Sequence, residues 1–354
     1  MKIKSLRPFK KNLALQKPYT IARETITTVE NIFLEITLEN GMTGLGAANP
    51  APEVVGETPA QTLQNLQSDF IQDLAGQDIR HFLHHIYKCR QHFKQLPGTQ
   101  ACIDLAMHDA FGKYIRIPVV DFYGRHHGKM LTSVTIGIKD VAATVEEARN
   151  YFEKGFRVLK VKTGLDVTLD TERVIKLKEE FGNDVTIRVD ANTGYDLKQL
   201  KLFMEKSQHC KIEVIEQPLL PSIDNDLLEL PVSLRARLAA DESLKDAGSA
   251  LRLSQKELYG IYNIKLMKSG GITGAFEIAT VAKAAGIQLF WGCNDESRVS
   301  IAAALHAAFA CAHTKYLDLD GSLDLAEDLV TGGFTIENGY MWPNDQPGFG
   351  TTLL

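Results

Sequence analysis

The chain has 354 residues, 44% hydrophobic and 23% charged, with a formal net charge of −5 and no long run of one sign. This is the make-up of a globular protein with room for one large domain and a smaller one, and it argues against a nucleic-acid surface or a polybasic membrane patch. No run approaches the roughly 18 apolar residues of a membrane helix, and the start has no apolar signal core. The five cysteines form no CxxC pair, so the expectation is a cytoplasmic protein with reduced thiols, acting on a small molecule.

Two extended segments come first, Ile3 to Phe9 and Ile26 to Leu38, the second closed by a turn at Asn40-Gly41. Helical periodicity follows. Thr58-Pro59 reads as an N-cap and a first helical residue, and A-C-I-D-L-A-M-H-D-A-F-G-K, from Ala101 to Lys113, as a strong helix. Strands followed by helices, without alternation, predict a separate α+β domain over residues 1–125.

From Ser133 the texture changes. The runs S-V-T-I-G-I, F-R-V-L-K-V-K, V-T-I-R-V-D, I-E-V-I-E, L-A-A-D, Y-N-I-K-L, I-Q-L-F-W-G and Y-L-D-L-D alternate with helical stretches. Alternation implies parallel pairing through crossover helices, and eight such strands suit a closed (β/α) barrel over residues 126–329. An open doubly wound sheet is the runner-up, disfavoured because no Gly-rich fingerprint follows the first strand. No convincing crossover helix follows the last run, and the Gly- and Pro-containing tail, 330–354, is expected to pack back on the first domain.

Charged side chains fall at the strand ends in a regular series. The steps from Lys162 to Asp190, Glu216, Asp241 and Lys265 are 28, 26, 25 and 24 residues, one β/α unit each, followed by the region around Asn294 and then Asp320. They therefore recur at one rim of the ring, and the C-terminal rim is where barrel active sites sit. Asp190, Glu216 and Asp241 would be neighbours there, and a shared divalent cation would remove their mutual repulsion. Three carboxylate oxygens that leave room for water and substrate describe a Mg²⁺ site.

The strand V-L-K-V-K-T-G puts Lys160 and Lys162 on one face and Leu159 and Val161 on the other. The apolar pair fits the helical shell, so both lysines face the interior. Repulsion, burial and the cation are expected to push their pKa down, toward a neutral lysine able to act as a base. Lys265, on the sixth strand of eight, lies half a turn from Lys162. One base removes a proton from carbon and the other returns one to the opposite face, the chemistry of a racemase or epimerase. An α-proton beside a carboxylate is weakly acidic, so the intermediate needs a metal. K-S-G-G after Lys265 reads as a tight strand-to-helix turn rather than a phosphate loop.

The set K-V-K, V-D-A-N, I-E-Q-P, A-D-E-S and I-K-L-M-K-S-G-G, with the helix at Ala101 and the later I-P-V-V-D-F-Y-G, resembles the enolase superfamily in its muconate-lactonising subgroup, over nearly the whole chain. The resemblance implies an α/β fold, a (β/α)7β modified TIM barrel with an α+β capping domain, one Mg²⁺ per subunit on Asp190, Glu216 and Asp241, and an ene-diolate intermediate. It makes Lys162 and Lys265 the acid/base pair and Lys160 the holder of the substrate carboxylate.

The last strand ends Asp318-Leu319-Asp320-Gly321, with both aspartates on one face, where they suit an α-ammonium. This D-x-D is similar to the pattern in dipeptide epimerases, which implies 1,1-proton transfer at the C-terminal residue of a dipeptide. The alternatives in the subgroup are o-succinylbenzoate synthases, N-acylamino acid racemases and muconate cycloisomerases. Arg23 is a candidate partner for a glutamate side chain, or else a surface arginine paired with Glu24. Asn294 and Asp295 in G-C-N-D-E-S put an acid near the distal pocket, which disfavours glutamate and makes an Ala-containing dipeptide such as Ala-Ala as plausible as Ala-Glu. A homo-oligomer, with neither nucleic acid nor membrane as partner, completes the expectation.

Overall fold

A computed structural model of the chain describes residues 1–21 and 24–354. Three antiparallel strands open it, β1 (Ile3–Ile21), β2 (Glu24–Leu38) and β3 (Thr43–Ala48), in the order β1-β2-β3. Sequence patterning did not anticipate β3, because T-G-L-G-A-A is too small and glycine-rich to read as a strand. Those glycines serve the helix Pro97–Ile115, which lies against the sheet: a Cβ on Gly44 would fall 2.4 Å from the Ala110 nitrogen, and one on Gly46 2.0 Å from the Cys102 carbonyl. The helix at Thr58 forms as expected, over Pro59–Leu66, with Thr58 and Gln61 in a reciprocal capping box.

After a short β4 (Met130–Leu131) the barrel strands follow: β5 (Val134–Ile136), β6 (Val158–Lys162), β7 (Thr186–Asp190), β8 (Ile215–Glu216), β9 (Leu238–Ala240), β10 (Ile261–Ile264), β11 (Gln288–Gly292) and β12 (Thr314–Asp318). They form one eight-stranded parallel sheet in chain order. A parallel bridge between Thr132 and Leu317 and the Ser133 N–H on the Leu317 carbonyl, 3.1 Å, bring its two edges together. Helical crossovers connect each strand to the next, and none follows β12. The expected (β/α)7β barrel with a capping α+β layer is therefore the observed fold.

The period-2 reading of β6 holds in space. Leu159 and Val161 join the outer core beneath the helices, whereas the Lys160 ammonium lies inside, 5.8 Å from the centre of the Phe290 ring. Phe290 packs with Val214, Ala239, Ile261 and Tyr316 in a separate apolar cluster at the barrel's centre, and the charged rim sits above it. In the tail, β13 (Val330–Gly332) pairs with β16 (Thr351–Leu353), and β14 (Phe334–Glu337) with β15 (Tyr340–Pro343), which also pairs with β4. Hydrogen bonds tie the tail to the cap, among them Gly348 N–H to the Ile117 carbonyl, 3.1 Å, Val119 N–H to the Gly348 carbonyl, 2.9 Å, and Phe349 N–H to Asp109, 2.9 Å. Among the described residues no helix is long and apolar enough to cross a membrane.

Candidate active site

The rim series converges. Lys162 and Asp190 are register partners at the ends of β6 and β7, as are Asp190 and Glu216 at the ends of β7 and β8, and Asp241 and Lys265 directly follow β9 and β10. Lys160 is 3% exposed and its ammonium lies 3.1 Å from Asp190, 2.9 Å from Glu216 and 2.7 Å from Asp318. Lys162 donates to Asp190 at 2.8 Å and to the Asn192 side chain at 2.9 Å. Lys265 lies 3.1 Å from Asp241.

Burial alone would favour the neutral form of every one of these groups, and the charges around them decide the outcome. For Asp190 the ammonium groups of Lys160 and Lys162 outweigh burial and hold the carboxyl well below its usual range; Lys265 and Lys268 do the same for Asp241. Glu216 goes the other way: burial, then the charge of Asp190, pushes it up to about 8. The expected depression is corrected for Lys160. Burial does act downward on Lys160, but Asp190, Asp318 and Glu216 outweigh it, and Asp241 and Glu216 do so for Lys265, so both are held above the ordinary lysine range.

Among the described residues no three His, Cys, Asp or Glu side chains stand arranged as a ready metal cage, and the Lys160 and Lys268 ammonium groups lie among the carboxylates. The donor chemistry nevertheless fits a hard divalent cation. Asp190, Glu216 and Asp241 offer only oxygen, and the buried Oε2 of Glu216 accepts no hydrogen bond, its one contact being the ion pair with the Lys160 ammonium at 2.9 Å.

Four contributors escaped sequence reasoning. The Asn263 amide donates to Glu216 at 2.7 Å. Gln217, wholly buried with φ of 31°, accepts from the Asp241 and Ser243 N–H groups at 2.9 and 3.1 Å and donates to Tyr259 at 3.0 Å, locking the ends of β8 and β9 together. Lys268 pairs with Asp241, and burial pushes its pKa down. Its only signal was the second lysine of K-L-M-K, on a one-turn helix, Leu266–Ser269, that brings it back beside Lys265. Glu296, 3% exposed, accepts from Asn294 N–H at 2.8 Å and is pushed by burial up to about 7.

At the end of β12, Asp318 is engaged by Lys160 and by Ser133, whose hydroxyl donates at 2.6 Å. Asp320 accepts from Thr135 N–H at 2.7 Å, and burial, then the charge of Asp318, pushes it up to about 7. Asn294 and Asp295 lie just beyond β11 on the same rim. Arg23 lies outside the described residues. The K-S-G-G turn forms as read, with Gly270 and Gly271 at φ of 75° and 93°.

A barrel rim with two opposed lysines and a carboxylate cluster between them belongs to carbon-acid chemistry. Residues 143–354 match the family described as Enolase C-terminal domain-like, and residues 4–124 the Mandelate racemase / muconate lactonizing enzyme, N-terminal domain. The chain belongs to the enolase superfamily and is an isomerase acting on amino acid derivatives. It is 47% identical, over 100% of both chains, to an L-Lys-D/L-Arg epimerase of Desulforapulum autotrophicum. Among solved structures it resembles a dipeptide epimerase of Methylococcus capsulatus complexed with Mg and L-Arg-D-Lys, at 43% identity and TM-score 0.96 over 99% of this chain and 100% of that one. A dipeptide epimerase of Enterococcus faecalis V583 complexed with Mg and L-Leu-L-Tyr matches at 30% identity and TM-score 0.94, over 99% and 100%.

Proposed function

We propose that this protein is a Mg²⁺-dependent dipeptide epimerase that inverts the α-carbon of the C-terminal residue of a cationic dipeptide of the Lys-Arg type. The observation that carries the reading is the placement of Lys162 and Lys265 four strands apart on the ring, with Asp190, Glu216 and Asp241 on the strands between. Asp190, Glu216 and Asp241 would hold one Mg²⁺, which when bound supplies stabilisation of the negative charge that develops on the substrate carboxylate. Lys162 and Lys265 face the α-carbon from opposite sides, one removing its proton and the other returning one. Lys160 supplies a further positive charge toward the carboxylate, and Asp318 and Asp320 receive the α-ammonium.

The side-chain preference rests on two features. Glu296 is buried and raised, so a cationic side chain brought beside it offsets the cost of desolvating it. Asp295 adds a further acid beside Glu296, and a relative 47% identical over its full length is an L-Lys-D/L-Arg epimerase. The Ala-containing dipeptides expected from sequence become the comparison substrates. We also propose the division into a capping domain, 1–125 with 330–354 returning to it, and a catalytic barrel, 126–329.

The test is NMR in D₂O with Mg²⁺. L-Lys-L-Arg should acquire deuterium at the arginine Cα and give L-Lys-D-Arg, faster than L-Ala-L-Ala or L-Ala-L-Glu are turned over, and EDTA should stop both changes. No exchange from any of these dipeptides overturns the reading, and faster turnover of an Ala dipeptide overturns the cationic preference.

A further inference from the structure

The helix Val167–Phe181 buries an acid and a base on its inner face. Asp170 and Arg173 are each 1% exposed and pair at i, i+3. Taking both ions out of water is costly, and such a pair alone is weak evidence of added stability. Its hydrogen bonds run to the end of β6. Arg173 Nη1 donates to the Lys162 carbonyl at 3.0 Å, and that carbonyl lies beyond the last β5–β6 pairing, Ile136 with Val161. Asp170 Oδ2 accepts from the Gly164 N–H at 2.8 Å and from the Tyr195 hydroxyl at 2.7 Å. Gly164, at φ of 103°, passes so close to the next loop that a Cβ would fall 2.2 Å from the Ala191 carbonyl. Tyr195 stands three residues past Asn192, whose side chain accepts from the Lys162 ammonium at 2.9 Å.

One network therefore grips the backbone on both sides of Thr163 and the loop that receives the Lys162 amine. Lys162 needs such a grip more than its neighbours do. Its side chain is 31% exposed, against 4% for Lys160 and 10% for Lys265, so surrounding walls fix it least. A misplacement of about 1 Å is enough to cost a positioned base on the order of a hundredfold.

We propose that Asp170, Arg173 and Tyr195 form a positioning clamp for Lys162, setting the direction from which its amine meets the substrate α-carbon. This rests on Lys162 being one of two bases, each serving one epimer. The clamp touches only the Lys162 side, so its loss should be felt by one epimer alone, whereas a merely structural role would weaken both.

The experiment measures initial Cα deuterium incorporation from L-Lys-L-Arg and from L-Lys-D-Arg separately, with saturating Mg²⁺, in the wild type and in Lys162→Ala, Lys265→Ala, Arg173→Met, Arg173→Lys and Tyr195→Phe. The two lysine variants identify which epimer each base serves. Arg173→Met should lower exchange of the Lys162-dependent epimer about tenfold and Tyr195→Phe about threefold, with the other epimer within about twofold and KM unchanged. Arg173→Lys, which keeps the charge without the two-pronged geometry, should recover only part of the loss. Equal loss from both epimers, or no loss, overturns the clamp; if Arg173→Met does not fold, Tyr195→Phe decides. Should the two lysine variants fail to separate the epimers, the two-base reading falls, and the clamp with it.

Discussion

Lys162 and Lys265 occupy equivalent positions on opposite sides of one ring, yet different parts of the chain secure them. The Lys162 side is held from within the barrel, by Asp170, Arg173 and Tyr195, all within 33 residues of it in sequence. The Lys265 side leans on the cap. Asp104, in the helix Pro97–Ile115, accepts from the Ile272 N–H at 2.8 Å, the Thr273 N–H at 3.2 Å and the Thr273 hydroxyl at 2.5 Å, just past the turn that follows Lys265. The contact is intimate: a Cβ on Gly271 would fall 2.5 Å from Asp104 Cβ. The surroundings of one proposed base are thus tied by local contacts and those of the other by contacts spanning 168 residues.

Perturbations that ignore this difference should have the largest effect. Glu216→Gln removes a charge from the shared carboxylate cluster and should lower kcat/KM for both epimers by about 10³, measured with excess Mg²⁺. Unequal loss would show that the cluster serves one lysine more than the other. Next comes Asp104→Ala, which strands buried donors of Ile272 and Thr273 and should destabilise the fold by about 3 kcal/mol in urea titrations. In the surviving folded enzyme, exchange of the Lys265-dependent epimer should suffer more than that of the Lys162-dependent one.

Acid should loosen the same seam. His306, wholly buried on the barrel helix Arg298–Phe309, accepts through Nδ1 from the cap's Val120 N–H at 3.0 Å, and burial pushes its pKa from 6.5 down to about 3. Between those values the unfolded chain binds the proton and the folded chain does not, so stability is complete above pH 6.5 and lost as pH falls. From pH 6.5 to 5 this single group removes about 2 kcal/mol. Denaturant titrations of wild type and His306→Leu at the two pH values should differ by that slope. The smallest effect expected is on substrate capture. Asp320→Asn should raise KM about tenfold for both epimers of a dipeptide with little change in kcat, a loss of one charge-assisted contact.

The barrel and its rim were legible because strand periodicity, even spacing and the cost of burying charge all acted on the same residues. Lys160, Lys162, Asp190, Glu216, Asp241 and Lys265 each interrupt an apolar run, and the interruptions keep step. Where signals conflicted, the reading failed. β3 was missed because its glycines answer to the helix above it, not to strand propensity. Asp170 and Arg173 look in sequence like any solvated i, i+3 pair on a helix, and only the fold places them inward. Asn263 and Gln217 carry no charge and so left no mark in the rim series. The direction of the Lys160 pKa was misjudged because the carboxylates that surround it, Asp190, Glu216 and Asp318, come from three different strands, and their combined charge exceeds the effect of burial.

The division of labour between the lysines is tested most directly by Cα deuterium incorporation from L-Lys-L-Arg and L-Lys-D-Arg in Lys162→Ala and Lys265→Ala. Each variant should lose both epimerisation and exchange from one epimer, while retaining exchange from the other, and the retained epimers should be opposite. Equal residual exchange from both epimers in either variant would contradict the account.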